Sequence, residues 1–468
     1  MPINTNTMIA TCVQIHTGDI APTAYRRRSR ALALALTICL GACATLAAAG
    51  AWAHGGGGGR AHAAAATLLG GLNITGLEDG STPADADRAI APARELHASI
   101  VRVQIPWTVF EPRAAGAIDP RAQAFTDRLV ADAAAAGIRP ILTVDTTPCW
   151  ATTAPASLAR RCTPGREGPA NAWPPRDMGE YAAFVGYLAR RYGTRLAAIE
   201  IWNEPDQVNE RYLAGPSKPQ RYAELLRAAY PAIKQADPQL QVLAGSLVGS
   251  NGVFLRALYA AGIKGYYDGL AVHYYHLTLA SLRSIREVQL ANGDSKPLWL
   301  DEFGWPSCWP RRRIEQEQAC VTPQVQAANV RTVVRSLARA SYVAAYAVYG
   351  SHDSATEDFG VLSRSGARKP SFAALKSVLA NPFGPVGRVT LSLRRHGGRV
   401  IASGSAPVGD FMQLEVFQGT VLRYRALFTL DRFNRYSLAL PAALGTSGLR
   451  VRVFQYWQGR GKDAQRSI

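Results

Sequence analysis

The chain has 468 residues, 48% hydrophobic and 18% charged, enough apolar material for two or three domains and too much for a disordered chain. Lys and Arg outnumber Asp and Glu 52 to 34, a formal net charge of +18, and the seven cysteines are an odd number for a disulfide-stapled protein. These totals exclude a small cysteine scaffold and a multi-pass membrane protein, and they leave a basic nucleic-acid-binding surface open.

The N-terminus reads as an export signal over residues 1–53. Arg26, Arg27, Arg28 and Arg30 precede an apolar run from Ala31 to about Ala49, which ends in Ala51-Trp52-Ala53, an A-x-A cleavage pattern. Ala31–Ala53 is also long enough to serve as a membrane anchor. Leu40-Gly41-Ala42-Cys43 resembles a lipobox, so lipidation at Cys43 is a third reading, and the arginine cluster resembles a weak twin-arginine signal. The protein is expected to be secreted or attached to the cell envelope. Cleavage removes four Arg and Asp19, which leaves +15, and removes Cys12, Cys39 and Cys43. The remaining cysteines, Cys149, Cys162, Cys308 and Cys320, allow three pairings. The simplest joins neighbours, Cys149–Cys162 and Cys308–Cys320, each closure worth about 3 kcal/mol in the chain-entropy model. No C-x-x-C or H-x-x-x-H spacing suggests a metal site.

Residues 54–66, a Gly run followed by an Ala run, read as a flexible linker. Eight short apolar segments then look like buried strands, near Leu68–Ile74, Ser99–Ile105, Ile138–Val144, Ala197–Trp202, Leu240–Ala244, Gly269–Tyr274, Pro297–Leu300 and Val343–Tyr349. Helical periodicity fills the intervals, as in Asp177–Tyr192, Tyr222–Gln235 and Val325–Ala340. Asp177 is placed to open one helix, and Gly137 and Gly193 to close two others. Eight strand–helix units over residues 67–384 predict an α/β fold of the (β/α)8 TIM-barrel type. A doubly wound sheet is the alternative, weakened because no G-x-G-x-x-G follows the first strand. Over residues 385–468 the pattern changes to alternation, in Gly387–Leu393, Val400–Ser405, Phe411–Phe417, Val421–Leu430, Arg435–Leu440 and Leu449–Trp457. That predicts a small antiparallel β domain, a sandwich.

The fourth strand ends in Ile201-Trp202-Asn203-Glu204-Pro205-Asp206 and the seventh in Leu300-Asp301-Glu302-Phe303-Gly304-Trp305. Catalytic groups of a barrel gather at the C-terminal ends of its strands. Glu204 and Glu302 so placed can flank one glycosidic bond, one as acid and one as attacking carboxylate. Glu200, deeper on the fourth strand, reads as an interior ion-pair partner, and Asp301, of opposite parity to Glu302, as structural. Asp145, ending the third strand, reads as a cleft-lining or loop-capping residue.

These residues carry a family resemblance. The Asn-Glu-Pro stretch and the Glu302 strand resemble the signatures of retaining glycoside hydrolases of clan A, families 39 and 5. The resemblance implies Glu204 as acid/base and Glu302 as nucleophile, with Asn203 on the sugar 2-hydroxyl. It implies His273 and Tyr275 as a sixth-strand His-x-Tyr, Tyr275 bonding Glu302 and His273 contacting the acid/base or a sugar hydroxyl. Arg102 matches a second-strand arginine that keeps Glu302 ionised. Glu204 is expected in a drier site or one nearer negative charge, so that it stays protonated. The family's strand-eight Trp is missing here, and Tyr349 stands near its place, followed by His352.

Trp107, Trp150, Trp173, Trp305 and Trp309 follow predicted strands, where flat rings can stack on sugars; Trp107 and Trp305 are counted with Tyr349 as substrate contacts. No metal or organic cofactor is implied, because two carboxylates and water suffice. The expected partner is an oligo- or polysaccharide, met by a monomer, with no nucleic acid. A non-catalytic glycan-binding barrel and a basic envelope-polysaccharide binder are the other function classes. Residues 385–468 hold thirteen Lys/Arg against four Asp/Glu, so most of the basic charge sits in the β domain, where it suits contact with an anionic envelope glycan.

Overall fold

The computed structural model describes residues 68–249, 252–275, 279–311, 314–315, 318–408, 411–455 and 463–468. The expected leader and linker, with Cys12, Cys39 and Cys43, lie outside the described residues, as does Trp457 at the end of the last predicted strand. Eight parallel strands close into a barrel: β1 (Leu69–Asn73), β2 (Ile100–Pro106), β3 (Arg139–Asp145), β4 (Ala198–Ile201), β5 (Gln241–Leu247), β6 (Gly269–His273), β7 (Leu298–Phe303) and β8 (Val343–Val348). Each pairs with its neighbour in sequence, and β8 returns to β1, so the open-sheet alternative is excluded. Among the described residues eight longer helices alternate with them, beside single-turn helices at Trp107–Phe110 and Ala156–Ala159: α1 (Pro83–Leu96), α2 (Pro120–Ala135), α3 (Met178–Tyr192), α4 (Lys218–Ala236), α5 (Val253–Ala260), α6 (Leu279–Ala291), α7 (Pro323–Leu337) and α8 (Pro370–Ala380).

Local chemistry starts these helices where the sequence indicates. Asp119 accepts from the Arg121 and Ala122 amides, Asp177 from Gly179 and Thr322 from Val325, each satisfying orphan donors of a first turn. Gly193 at the end of α3 and Gly137 after α2 take φ of 50° and 71°, conformations that favour residues without a Cβ.

Inside the barrel, side chains two residues apart form layers. Ile100, Ile141, Ala198, Leu243, Ala271, Trp299 and Ala345 make an apolar floor. Arg102, Thr143 and Glu200 lie one step above it, and Gln104 and Asp145 one step higher. The polar interior is thus confined to the C-terminal half of the barrel.

The last segment folds as expected into two antiparallel sheets. One orders as β9 (Ser392–His396), β10 (Arg399–Ser405) and β13 (Arg435–Ala439). The other orders as β12 (Val421–Phe428), β11 (Met412–Gln418), β14 (Leu449–Gln455) and β15 (Ala464–Ser467). Their inner faces share a core of Val400, Ala402, Met412, Leu414, Val416, Val451 and Val453. Two details differ from the reading of the sequence. β15 went unpredicted, and β9 starts at Ser392 rather than Gly387, although Thr390 already bonds the Ser405 carbonyl. Barrel and sandwich belong to one compact unit, residues 64–468. They meet where Trp309 packs edge-on against Phe433 at 5.3 Å and the Asn434 amide donates to Asn329 Oδ1 at 2.6 Å. Among the described residues no helix is long and apolar enough to cross a membrane.

Candidate active site

The C-terminal ends of β4, β6 and β7 bring three side chains together. Glu204, His273 and Glu302 each offer a donor atom, and these atoms lie within 4.8 Å of one another. Glu204 and Glu302 are 6% and 7% exposed, so both carboxyls sit at the floor of the mouth rather than in solvent. The backbone leaving β4 is bent to achieve this: Trp202 and Glu204 take φ of 70° and 42°, left-handed conformations that cost roughly 1–3 kcal/mol each in a non-glycine residue. Buried contacts hold the bend, including the Trp202 indole N–H on the Tyr212 carbonyl.

Strand β7 solves a different problem. Parity turns Asp301 inward with Trp299 and would turn Glu302 out. A register shift intervenes, in which His273 pairs with Glu302 directly after Val272 pairs with Leu300. The bulge turns Glu302 inward as well, so Asp301 and Glu302 both reach the Arg102 guanidinium, at 3.2 Å and 2.6 Å. Asp301, read as structural because its parity opposes that of Glu302, instead shares the interior with it.

Arg102 is the hub. Its Nε donates to Glu200 at 2.7 Å, Nη1 to Glu302 and to Asn73 Oδ1 at 3.1 Å, and Nη2 to Asn203 Oδ1 at 2.7 Å and Ser246 Oγ at 3.3 Å. Five N–H groups are thereby used. Burial opposes its charge, but Glu200, Glu302 and Asp301 more than offset that and hold the guanidinium charged. Glu200 is the ion-pair partner expected: burial pushes its carboxyl up, Arg102 outweighs that, and it is held down to about 2. Asp301 goes the other way, its carboxyl pushed well above its ordinary value by burial and then by the Glu200 charge.

Of the residues singled out in the sequence, Arg102, Asn203, Glu204, His273, Tyr275 and Glu302 converge. Tyr275 donates to Glu302 Oε2, and His273 Nδ1 lies 2.8 Å from Glu204 Oε1. Asn203 has its oxygen on Arg102, so the group it offers a ligand is the amide nitrogen. Tyr349 packs edge-on against Tyr275 at 5.5 Å and donates to Glu357, and so buttresses that tyrosine. The expected disulfides are both formed, Cys149–Cys162 and Cys308–Cys320, with Cα separations of 5.6 Å and 4.9 Å.

Three expectations need correction. Trp107 is fully buried in a short turn after β2, its ring stacked on Phe184 and its N–H on Glu111, so it has no face for a sugar. Trp305 is 7% exposed and packs edge-on against Phe303, and Trp309 faces the sandwich, so neither forms a stacking platform. The Glu204 site is dry, but no negative group dominates it. Burial pushes Glu204 up, while the His273 hydrogen bond and charge, then Gln207 and Arg102, more than offset this and hold it below the ordinary carboxylate range. Asp145 is 1% exposed and accepts from the Gln104 amide at 2.6 Å in the upper interior layer of the barrel. The sequence reading missed Asn73, Ser246 and Gln207. Asn73 and Ser246 end barrel strands, a signal that was available; Gln207 stands three residues past Glu204 with no pattern to mark it.

The Glu204, His273 and Glu302 donor atoms are close enough for a cation to bridge. Arg102 on Glu302 and the Gln207 amide on Glu204 already supply protein donors at that position.

Residues 188–372, which include both glutamates, match the family described as glycosyl hydrolase catalytic core. The chain carries a glycoside hydrolase core. Its barrel has the fold of a family 39 glycoside hydrolase from the gut symbiont Bacteroides cellulosilyticus WH2, at 17% identity and a TM-score of 0.50 over 79% of each chain. Also similar is a family 39 β-xylosidase from Caulobacter crescentus, at 21% identity and a TM-score of 0.49 over 74% of this chain and 81% of that one. A family 39 enzyme from Xanthomonas axonopodis pv. citri shows 15% identity and a TM-score of 0.48 over 86% and 98%. No curated relative matches the chain in sequence. The glycoside hydrolase assignment fits a site made of two enclosed carboxyls, a hub arginine and hydrogen-bonding side chains for hydroxyl groups.

Proposed function

We propose that this glycoside hydrolase cleaves a β-linked glycan with retention of configuration, through double displacement. The observation that carries the reading is the spacing of Glu204 and Glu302, which have oxygens within 4.8 Å of each other. Retaining enzymes hold their carboxyls about 5–5.5 Å apart, whereas inverting enzymes need about 6.5–9.5 Å to admit a water.

Glu302 is the nucleophile. Arg102 and Tyr275 bind its two oxygens, aiming the carboxylate and stabilising its charge. Glu204 is the acid/base, with His273 and Gln207 on its oxygens. In the first step Glu302 attacks the anomeric carbon while Glu204 protonates the departing oxygen, leaving a glycosyl-enzyme ester. In the second, Glu204 takes a proton from water, the water oxygen bonds the anomeric carbon, and Glu302 is released. The Asn203 amide donates to the sugar 2-hydroxyl. Export is supported by the leader-like N-terminus and the two disulfides. We also infer that the cationic sandwich holds an anionic envelope glycan.

The deciding measurement is the Glu302→Ala variant on a β-glycan and aryl β-glycoside panel. Turnover falls by on the order of 10⁴-fold or more while substrate binding stays measurable. Unchanged turnover, or an inverted anomer first seen by NMR with the wild type, removes the assignment.

A further inference from the structure

Both carboxylate oxygens of Glu204 are occupied. Oε1 lies 2.8 Å from His273 Nδ1, and Oε2 accepts from Gln207 Nε2 at 2.9 Å. An acid that protonates a glycosidic oxygen must give one of these positions to the leaving group. His273 cannot yield. It is 1% exposed, it ends β6, and its ring also stands 3.4 Å from Glu302 and 3.6 Å from Asp301. Gln207 can. It is half-buried, on the turn that leaves Glu204, and among the described residues its side chain makes this one hydrogen bond. Its backbone is pinned, the amide to the Glu204 carbonyl at 3.1 Å and the carbonyl to the Lys218 ammonium at 2.6 Å. Only the side chain is left to swing.

We propose that Gln207 caps the acid/base carboxyl in the resting site and, when substrate enters, turns to bind the sugar on the leaving-group side. The proposal rests on Glu204 being the acid/base. The glycosidic oxygen then takes the place of Gln207 Nε2 at Glu204 Oε2, and the proton passes from Oε2 to that oxygen as Glu302 attacks, so the leaving sugar departs as an alcohol. The freed carboxamide exchanges no proton. It offers two donors and an acceptor, the complement of a pair of sugar hydroxyls. Gln207 is thus a positioning residue for the acid and a recognition residue for the aglycone sugar.

The consequence is a dependence on the leaving group. An aryl leaving group of low pKa needs little protonation and presents no hydroxyls, while a sugar needs both. The test compares wild type with Gln207→Ala, and with Gln207→Met, which keeps the length without the amide, on a β-linked disaccharide and an aryl β-glycoside of the same glycone. For the disaccharide kcat/KM falls about 30-fold; for the aryl glycoside it falls about 3-fold. The alkaline limb of the pH profile moves upward in both variants, because the amide hydrogen bond is one of the groups lowering Glu204. A ratio between the two substrates within twofold of wild type overturns the proposal. Failure of the underlying reading looks different: there the wild type turns over neither substrate, or Glu302→Ala remains active.

Discussion

The barrel and the sandwich handle positive charge in opposite ways. In the barrel, Arg102 is 4% exposed and spends every N–H on a carboxylate, an amide oxygen or a hydroxyl. In the sandwich, Arg394, Arg395 and Arg399 crowd one exposed hairpin, β9–β10, and among the described residues none of them forms an ion pair. The buried charge is fixed in geometry and has no capacity left for anything outside the barrel. The exposed charges are screened by solvent, and even Arg395, whose Nε donates to the Thr446 carbonyl at 2.7 Å, keeps donors to offer a partner. Net charge is therefore a poor guide to the cleft. One enclosed arginine holds the buried carboxylates in place, whereas thirteen Lys/Arg fall in residues 385–468, outside the barrel.

The strongest way to break this contrast is to remove the hub. Arg102→Met keeps the aliphatic stem and deletes the guanidinium, leaving Glu200, Asp301 and Glu302 buried without a counter-charge. Removing one partner of a buried ion cluster costs about 3–5 kcal/mol. Thermal unfolding should show that loss, and kcat should fall roughly 10³-fold because Glu302 loses its aim and its charge partner. A variant with wild-type kcat would mean that Tyr275 alone orients Glu302.

Much of this was legible in the residues. Apolar runs separated by helical periods placed all eight strands to within three residues, because a strand buried on both faces has to be apolar. The pair Glu204 and Glu302 followed from their position at strand ends, and the Tyr275 and His273 contacts from the resemblance of the sixth strand to a His-x-Tyr pattern. Depth was not legible. Trp107 follows β2, as a platform residue would, yet it turns beneath the surface to stack on Phe184. Neither was the β7 bulge, which depends on pairing with both neighbouring strands rather than on β7 alone. Gln207 has no pattern at all, since its role arises from the rotamer that brings its amide onto Glu204.

A smaller effect tests the outer half of the contrast. Converting Arg394, Arg395 and Arg399 together to Gln removes three exposed charges without touching the barrel. Binding of the full chain to an anionic polysaccharide should weaken by roughly 10-fold, and wild-type binding should fall steeply as salt rises. Binding that ignores both salt and the substitutions would leave the cationic surface without this partner.

The smallest effect, and the most diagnostic of the inner half, is a pH shift. Two influences compete at Glu204: burial pushes its pKa up, and His273, through its hydrogen bond and charge, does most to pull it down. The direction of change on removing His273 is therefore fixed. In His273→Leu the lowering influence goes while burial remains, so Glu204 holds its proton to higher pH. The acid must be protonated for the first step, so the alkaline limb of kcat/KM should move to higher pH. Activity at the optimum falls as well, since the leucine no longer steadies Oε1, but the displacement of the limb does not depend on that loss. A limb that moves down instead would mean that the ionisation controlling it belongs to a group other than Glu204.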